Sequence, residues 1–169
     1  MIILQKVLNL KSIKEVNEIG EKIWREHYTP IIGEEQVDYM LEKFQSVEAI
    51  SNQIDNEGYE YYLLDYENKN VGYIGIKIDK ESLFLSKLYV LKDFRKKGLA
   101  SSAIKFLKDI CKEKELDKIW LTVNKYNLES INAYKRLGFI IIDEQISDIG
   151  NGFVMDDYIL SIDFWYWKI

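Results

Sequence analysis

Cysteine, proline and long apolar runs are all scarce in this chain of 169 residues. Its one cysteine, Cys111, cannot close an internal disulfide, which fits a reducing, cytoplasmic setting. A single proline and nine glycines exclude a collagen-like or linker-rich polymer. No uninterrupted apolar stretch approaches the ~20 residues of a membrane helix. The opening Met1-Ile2-Ile3-Leu4-Gln5-Lys6 lacks a basic stretch leading into a long apolar one, so no secretory signal is expected. Basic residues are also in deficit: the net charge of −5 argues against a general nucleic-acid binder, which needs a basic surface to neutralise phosphates. That charge leaves room for a local basic patch and for a cationic substrate. What is present, 47% hydrophobic and 30% charged residues, is the make-up of a folded chain with a sizeable core. With neither linker nor repeat, residues 1–169 read as a single domain.

The apolar pattern changes period along the chain. Met1 to Val7 suits a first strand. Asn9, Ser12 and Glu15, the last two spaced as a capping box, announce a helix whose stripe is Ile13, Val16, Ile19, Ile23 and His27 and which ends at Pro30. Val37, Met40, Leu41 and Phe44 mark a second helix, continuing through Ile50 and Ile54 to a stop near Asn56-Glu57-Gly58. From Tyr59 the chain turns strand-like: Tyr59 to Tyr66, a turn at Glu67-Asn68-Lys69-Asn70, Val71 to Ile78, and Leu83 to Leu91. Then come a helix from Leu99, a strand over Lys118 to Val123, a helix over Leu128 to Leu137, a strand over Gly138 to Ile142 and a last strand over Phe153 to Ile162. An antiparallel meander followed by βαβα units predicts a mixed α/β layout, not an all-parallel sheet.

Chemistry concentrates where the third of these strands, with Leu88, Tyr89 and Val90, meets Arg95-Lys96-Lys97-Gly98-Leu99-Ala100-Ser101. A strand that ends in a basic, glycine-bearing turn opening a helix aims unpaired helix amides and three cationic side chains at one spot, which suits a pyrophosphate. Neither G-x-x-x-x-G-K-[ST] nor G-x-G-x-x-G occurs, so a P-loop and a dinucleotide fingerprint are excluded.

Arg-x-x-Gly-x-Ala after an apolar strand resembles the acyl-CoA signature of the GCN5-related N-acetyltransferases. Val123, Asn127, Ser130, Ala133, Tyr134, Gly138 and Phe139 repeat the resemblance in the spacing of that family's later motif. Within the family, Trp24-Arg25-Glu26-His27-Tyr28-Thr29-Pro30 with Ile119-Trp120-Leu121-Thr122-Val123 is similar to bacterial polyamine N-acetyltransferases. The resemblance implies a twisted mixed sheet of about seven strands and about four helices, whose two central parallel strands splay apart to admit acetyl-CoA. It implies acetyl transfer to a primary amine, a small molecule such as a polyamine, by direct attack and with no nucleic-acid or membrane partner. Rival readings are an acyl-CoA-binding regulatory module without turnover, and an acetyltransferase of protein N-termini or aminoglycosides.

The roles implied for individual residues follow. Leu88, Tyr89 and Val90 pair with the pantetheine arm, and the Val90 amide faces the thioester carbonyl. Arg95, Lys97, Gly98, Ala100 and Ser101 hold the pyrophosphate together with Leu99, while Lys96 and Lys92 sit at its rim. Asn127 and Ser130 border the arm, with Asn127 equally suited to capping a helix. Tyr134 protonates the departing thiolate. No carboxylate lies on the strand before the basic turn, where Phe84 and Ser86 stand. The proton of the amine is therefore left to ordered water, to Glu60 or Asp65, or to His27, which reads better as a structural histidine near a helix end. Glu26, Glu34, Glu35 and Asp38 attract a polyamine or serve as ordinary helix-start acids. Cys111 reads as packing, and no cluster has metal-ligand spacing. The aromatic Phe164-Trp165-Tyr166-Trp167 packs on its own sheet or buries against a second copy, making a homodimer.

Overall fold

A computed structural model describes residues 1–164. The described residues form seven strands, β1 (Ile2–Lys6), β2 (Tyr59–Tyr66), β3 (Lys69–Ile78), β4 (Ser82–Val90), β5 (Lys118–Asn124), β6 (Ile140–Gly150) and β7 (Phe153–Asp163). Six α-helices accompany them, α1 (Leu10–His27), α2 (Thr29–Ile32), α3 (Glu34–Phe44), α4 (Val47–Asn56), α5 (Leu99–Lys114) and α6 (Leu128–Arg136). Strand order is β1-β2-β3-β4-β5-β7-β6, the mixed sheet the sequence predicts. Four helices were expected and six are present: Pro30 opens the one-turn α2 at its first positions, and Ser46 starts α4 anew by accepting from the Ala49 amide at 3.1 Å. Contacts divide the chain into two compact units, Met1–Lys77 with Lys87–Ala103, and Ile78–Ser86 with the chain from Ile104 onward.

In the first unit, Asn9 caps α1, and the capping box joins Asn9 to Ser12, not Ser12 to Glu15. Asn9 Oδ1 accepts from the Ser12 amide at 2.9 Å and Ser12 Oγ accepts from the Asn9 amide at 3.3 Å, so serine fills the inner position of the box. The stripe Ile13, Val16, Ile19 and Ile23 meets Ile50 of α4 and Tyr61, Leu63 and Tyr73 of the sheet. The β2–β3 hairpin closes through Glu67 and Asn68, both at positive φ, the pair of left-handed residues that a two-residue turn needs. At Gly72 of β3, an added Cβ would lie 2.4 Å from the Tyr89 carbonyl oxygen and 3.2 Å from Val90 Cα. Only a glycine lets β3 run so close to the end of β4.

In the second unit, β4 and β5 pair in parallel over Ser82–Phe84 and Lys118–Trp120 and no further, although both strands continue. From Lys118 to Asn124, β5 pairs with β7 along its full length. β6 runs eleven residues, well beyond the Ile142 at which the apolar pattern stops, because pairing with β7 carries a polar segment into the sheet. Phe164 is buried; Trp165, Tyr166 and Trp167 lie outside the described residues.

Gly72→Ala should cost about 1–3 kcal/mol in denaturant unfolding, because backbone and not a flexible side chain occupies the space of the new methyl. An unchanged unfolding midpoint would show that β3 and β4 can separate freely at this point.

Candidate functional site

The strand–turn–helix segment lies wholly in the first unit. Leu88, Tyr89 and Val90 end β4 half-buried, and the Leu91 amide donates to the Val71 carbonyl at 2.8 Å, fixing the strand's last step against β3. A single 3₁₀ turn over Lys92–Phe94 follows, with its Phe94 ring 6.2 Å from that of Tyr66 and under the Lys69 ammonium at 5.1 Å. Lys96 (φ 61°) and Gly98 (φ 84°) then take left-handed conformations that swing the chain into α5. The Ser102 amide donates to the Gly98 carbonyl at 2.9 Å, so Gly98 is the cap and the amides of Leu99, Ala100 and Ser101 precede any intrahelical acceptor. A Cβ placed on Gly98 would meet nothing within 4 Å, so the approach to those amides is open. Lys96, Lys97 and Ser101 are exposed around it, while Arg95 turns its Nε back onto the Val90 carbonyl at 3.0 Å and so braces the turn against the strand. The arrangement offers main-chain donors, the positive end of a helix and flexible cations to an anion.

Beneath the strand lies a feature that sequence reasoning missed. The Tyr89 ring sits among Trp24 (5.7 Å), Tyr73 (5.5 Å) and Tyr28 (6.2 Å). Two residues earlier, Lys87 is buried, with its Nζ donating to the Phe44 carbonyl at 3.1 Å, to Gln53 Oε1 at 3.3 Å and to the Tyr61 hydroxyl. The Tyr61 hydroxyl in turn donates to Gln53 Oε1, and Tyr73 donates to the buried Gln45 Oε1 at 2.9 Å. No carboxylate touches the amine among the described residues. Burial therefore lowers it to about 7, against a small opposing pull from Glu57. The signal was in the alternation: Leu83, Leu85, Lys87 and Tyr89 share one face of β4, which places the lysine on the apolar side.

In the second unit, Asn127 is buried and caps α6, its Oδ1 accepting from the Ser130 amide at 3.3 Å, the capping role set beside the binding one. Tyr134, two turns in, is half-buried with its ring 5.6 Å from Phe139. Cys111 is fully buried and its thiol is pushed up to about 12 by that burial, which makes it packing and not a nucleophile. Asp157 of β7 was not singled out from the sequence. It is 2% exposed, its Oδ1 has no hydrogen-bond partner among the described residues, and burial, with the charge of Asp156 adding, raises it to about 6.

Three of the other acids have partners of their own. Glu60 pairs with Lys6 at 2.9 Å, Asp65 accepts from the Asn68 amide in the hairpin turn, and Asp38 binds Arg25 at 2.6 Å. His27 stands at the end of α1 with its ring edge-on to Tyr28 at 4.9 Å. Glu26, Glu34 and Glu35 are exposed.

Residues 18–139, most of the chain and both halves of the sequence signature, match the model of the acetyltransferase (GNAT) family. The chain belongs to that family. It is 22% identical over 145 residues to a spermidine N(1)-acetyltransferase of Thermoplasma acidophilum, covering 83% of this chain and 90% of the relative. It is 21% identical over 149 residues to an uncharacterised N-acetyltransferase of Lactobacillus delbrueckii subsp. lactis, covering 83% and 86%. In fold it is similar to the PaiA N-acetyltransferase of T. acidophilum crystallised with coenzyme A, with a TM-score of 0.81, 20% identity and coverage of 97% and 99%. A GNAT acetyltransferase of Elizabethkingia anophelis with acetyl-CoA bound superposes with a TM-score of 0.58 at 21% identity, over 70% of this chain and 84% of the other. The mixed sheet and the enzyme class expected from the sequence, an N-acetyltransferase, both stand.

Lys87 makes stability depend on pH in a definite direction. Its amine binds a proton more weakly folded than unfolded, so between about pH 7 and 10.5 the unfolded chain holds more protons and stability rises with pH. Denaturant unfolding at pH 6.5, 8 and 9.5 should show the wild type gaining up to a few kcal/mol, a gain that Lys87→Met lacks. Parallel profiles for the two proteins would mean that the amine keeps its ordinary proton affinity inside the fold.

Proposed function

We propose that this acetyltransferase is a single catalytic domain that moves an acetyl group from acetyl-CoA to the primary amine of a small cation, a polyamine of the spermidine kind. The observation that carries the reading is the turn into α5, where left-handed Lys96 and Gly98 leave three amides open to a diphosphate at the end of the very strand that would pair with a pantetheine arm. The net charge of −5 and the spermidine-acetylating relative support a cationic acceptor.

Bound there, acetyl-CoA would supply an activated acetyl group on sulfur. The chain's own residues do the rest. The amides of Leu99, Ala100 and Ser101, with Lys97 and Arg95, hold the diphosphate; Lys96 screens its rim. The backbone of Leu88, Tyr89 and Val90 aligns the arm, and the Val90 amide stabilises negative charge developing on the thioester oxygen. Asn127 and Ser130 keep the start of α6 in place, which sets Tyr134 two turns later. The Tyr134 hydroxyl gives a proton to the leaving sulfur. Attack is direct, without an acetylated enzyme, since Cys111 is buried and holds its proton.

Thiol release from acetyl-CoA measured with spermidine, an aminoglycoside and a short peptide decides the acceptor. Spermidine should give the highest kcat/KM. Release with the aminoglycoside or the peptide alone would reassign the substrate, and tight acetyl-CoA binding without release would make the protein a binding module. Tyr134→Phe should lower kcat ~10²-fold or more, the ordinary worth of a general acid, with acetyl-CoA affinity within about threefold of wild type. Unchanged kcat would remove Tyr134 from the proton path.

A further inference from the structure

The proton that an ammonium must shed before attack has no carboxylate acceptor on β4, since Ser82–Val90 contains neither Asp nor Glu. The second unit holds one elsewhere. On β5, Ile119, Leu121 and Val123 are buried, while Lys118, Trp120, Thr122 and Asn124 form a half-exposed face. Register extends that face to both sides. Trp120 opposes Phe84 of β4 and stacks on it with ring centroids 4.3 Å apart; across β7, Asn124 opposes Asp157, Thr122 opposes Ile159 and Trp120 opposes Ser161. The face therefore runs from an aromatic pair, past a hydroxyl and an amide, to one carboxylate.

That carboxylate is anomalous as a structural group. Asp157 is almost wholly removed from solvent, yet its Oδ1 finds no donor among the described residues, an arrangement that costs folding energy and returns none. Its neighbours do not supply a cation. Asn124 faces it from β5 and Gln145 from β6, and both are neutral. Asp156 is next in the strand. Lys125 is the nearby ammonium, and it is already held 2.9 Å from both Glu144 and Asp156. A buried acceptor without a donor, on a face whose other end is a half-exposed aromatic pair, is suited to a donor that arrives with the substrate.

We propose that this face of β5 and β7 is the acceptor-amine subsite, and that Asp157 is the carboxylate that binds the substrate ammonium and takes its proton. This rests on the acetyl-transfer reading above and adds its missing base. In the step, the ammonium N–H bond breaks and its proton passes to the Asp157 carboxylate. The freed nitrogen lone pair forms the C–N bond as the acetyl C–S bond breaks. The second proton lost by nitrogen balances the one delivered to sulfur through Tyr134, and Asp157 returns its proton to solvent. The alkyl chain of the amine lies toward Trp120 and Phe84, where apolar and cation–π contact both favour it. Burial assists the role: a carboxyl raised to about 6 remains ionised at neutral pH but accepts a proton more readily than an exposed one.

The test uses the full-length enzyme with acetyl-CoA and spermidine. Wild-type kcat/KM for spermidine should fall on the acid side with a midpoint near pH 6. Asp157→Asn should lower kcat/KM ~10²-fold or more and abolish that midpoint, while acetyl-CoA affinity stays within about threefold. A second measurement does not depend on the variant folding: the Asp157 carboxyl carbon of the wild type, followed by NMR against pH, should titrate at least ~1 pH unit lower with saturating spermidine, because an adjacent ammonium favours the charged form. A midpoint unmoved by spermidine, or an Asp157→Asn enzyme with wild-type kcat/KM and pH profile, overturns the assignment while leaving acetyl transfer intact. A wild type that acetylates no amine overturns the function itself.

Discussion

Helix α5 begins with main-chain N–H groups that its own geometry cannot satisfy, and among the described residues no acceptor in the turn satisfies them. Two left-handed residues, Lys96 and Gly98, keep the preceding segment clear; Arg95 ties the turn to the Val90 carbonyl; Phe94 is pinned against Tyr66. Gly72 lets β3 support the end of β4 at backbone distance. Each detail holds one set of donors at one end of one strand. The proposed phosphate cradle requires that condition, and the roles proposed for Leu88, Tyr89 and Val90 depend on it.

Two buried ionisable groups show the same physics with opposite sign. Loss of water lowers Lys87 toward neutrality and raises Asp157 toward its protonated form, since in each case burial disfavours the charge. Their surroundings separate them. Lys87 is surrounded by acceptors, the Phe44 carbonyl, Gln53 and Tyr61, and is accounted for as a tie between β4 and the α3–α4 junction. Asp157 is left with an oxygen that nothing fills. Satisfaction of hydrogen bonds, more than the shifted proton affinity, distinguishes a structural group from one awaiting a ligand.

The fold was largely legible because its signals are local. The aromatic run Tyr59–Tyr66, the polar turn after it and the stripes of α1 and α5 each follow from a few neighbouring residues. The basic turn was legible for the same reason. What escaped the sequence depends on partners far along the chain. The capping box of α1 joined Ser12 to Asn9 and not to Glu15, β6 outran its apolar segment by pairing with β7, and the break at Gln45–Ser46 was hidden by a continuous stripe. Lys87 showed itself weakly, as a charge in step with Leu83 and Leu85. Asp157 gave no local signal, because its burial and its missing donor are products of the register that sets β7 between β5 and β6.

The diphosphate cradle is tested most directly by calorimetric titration of the protein with coenzyme A and, separately, with pantetheine, which keeps the thiol arm but lacks the diphosphate and nucleotide. Charge-assisted hydrogen bonds contribute about 1.5–3 kcal/mol each, so losing two or more should weaken pantetheine by ~10²-fold or more relative to coenzyme A. Equal affinities for the two would contradict the account, because the open amides of α5 would then hold no phosphate.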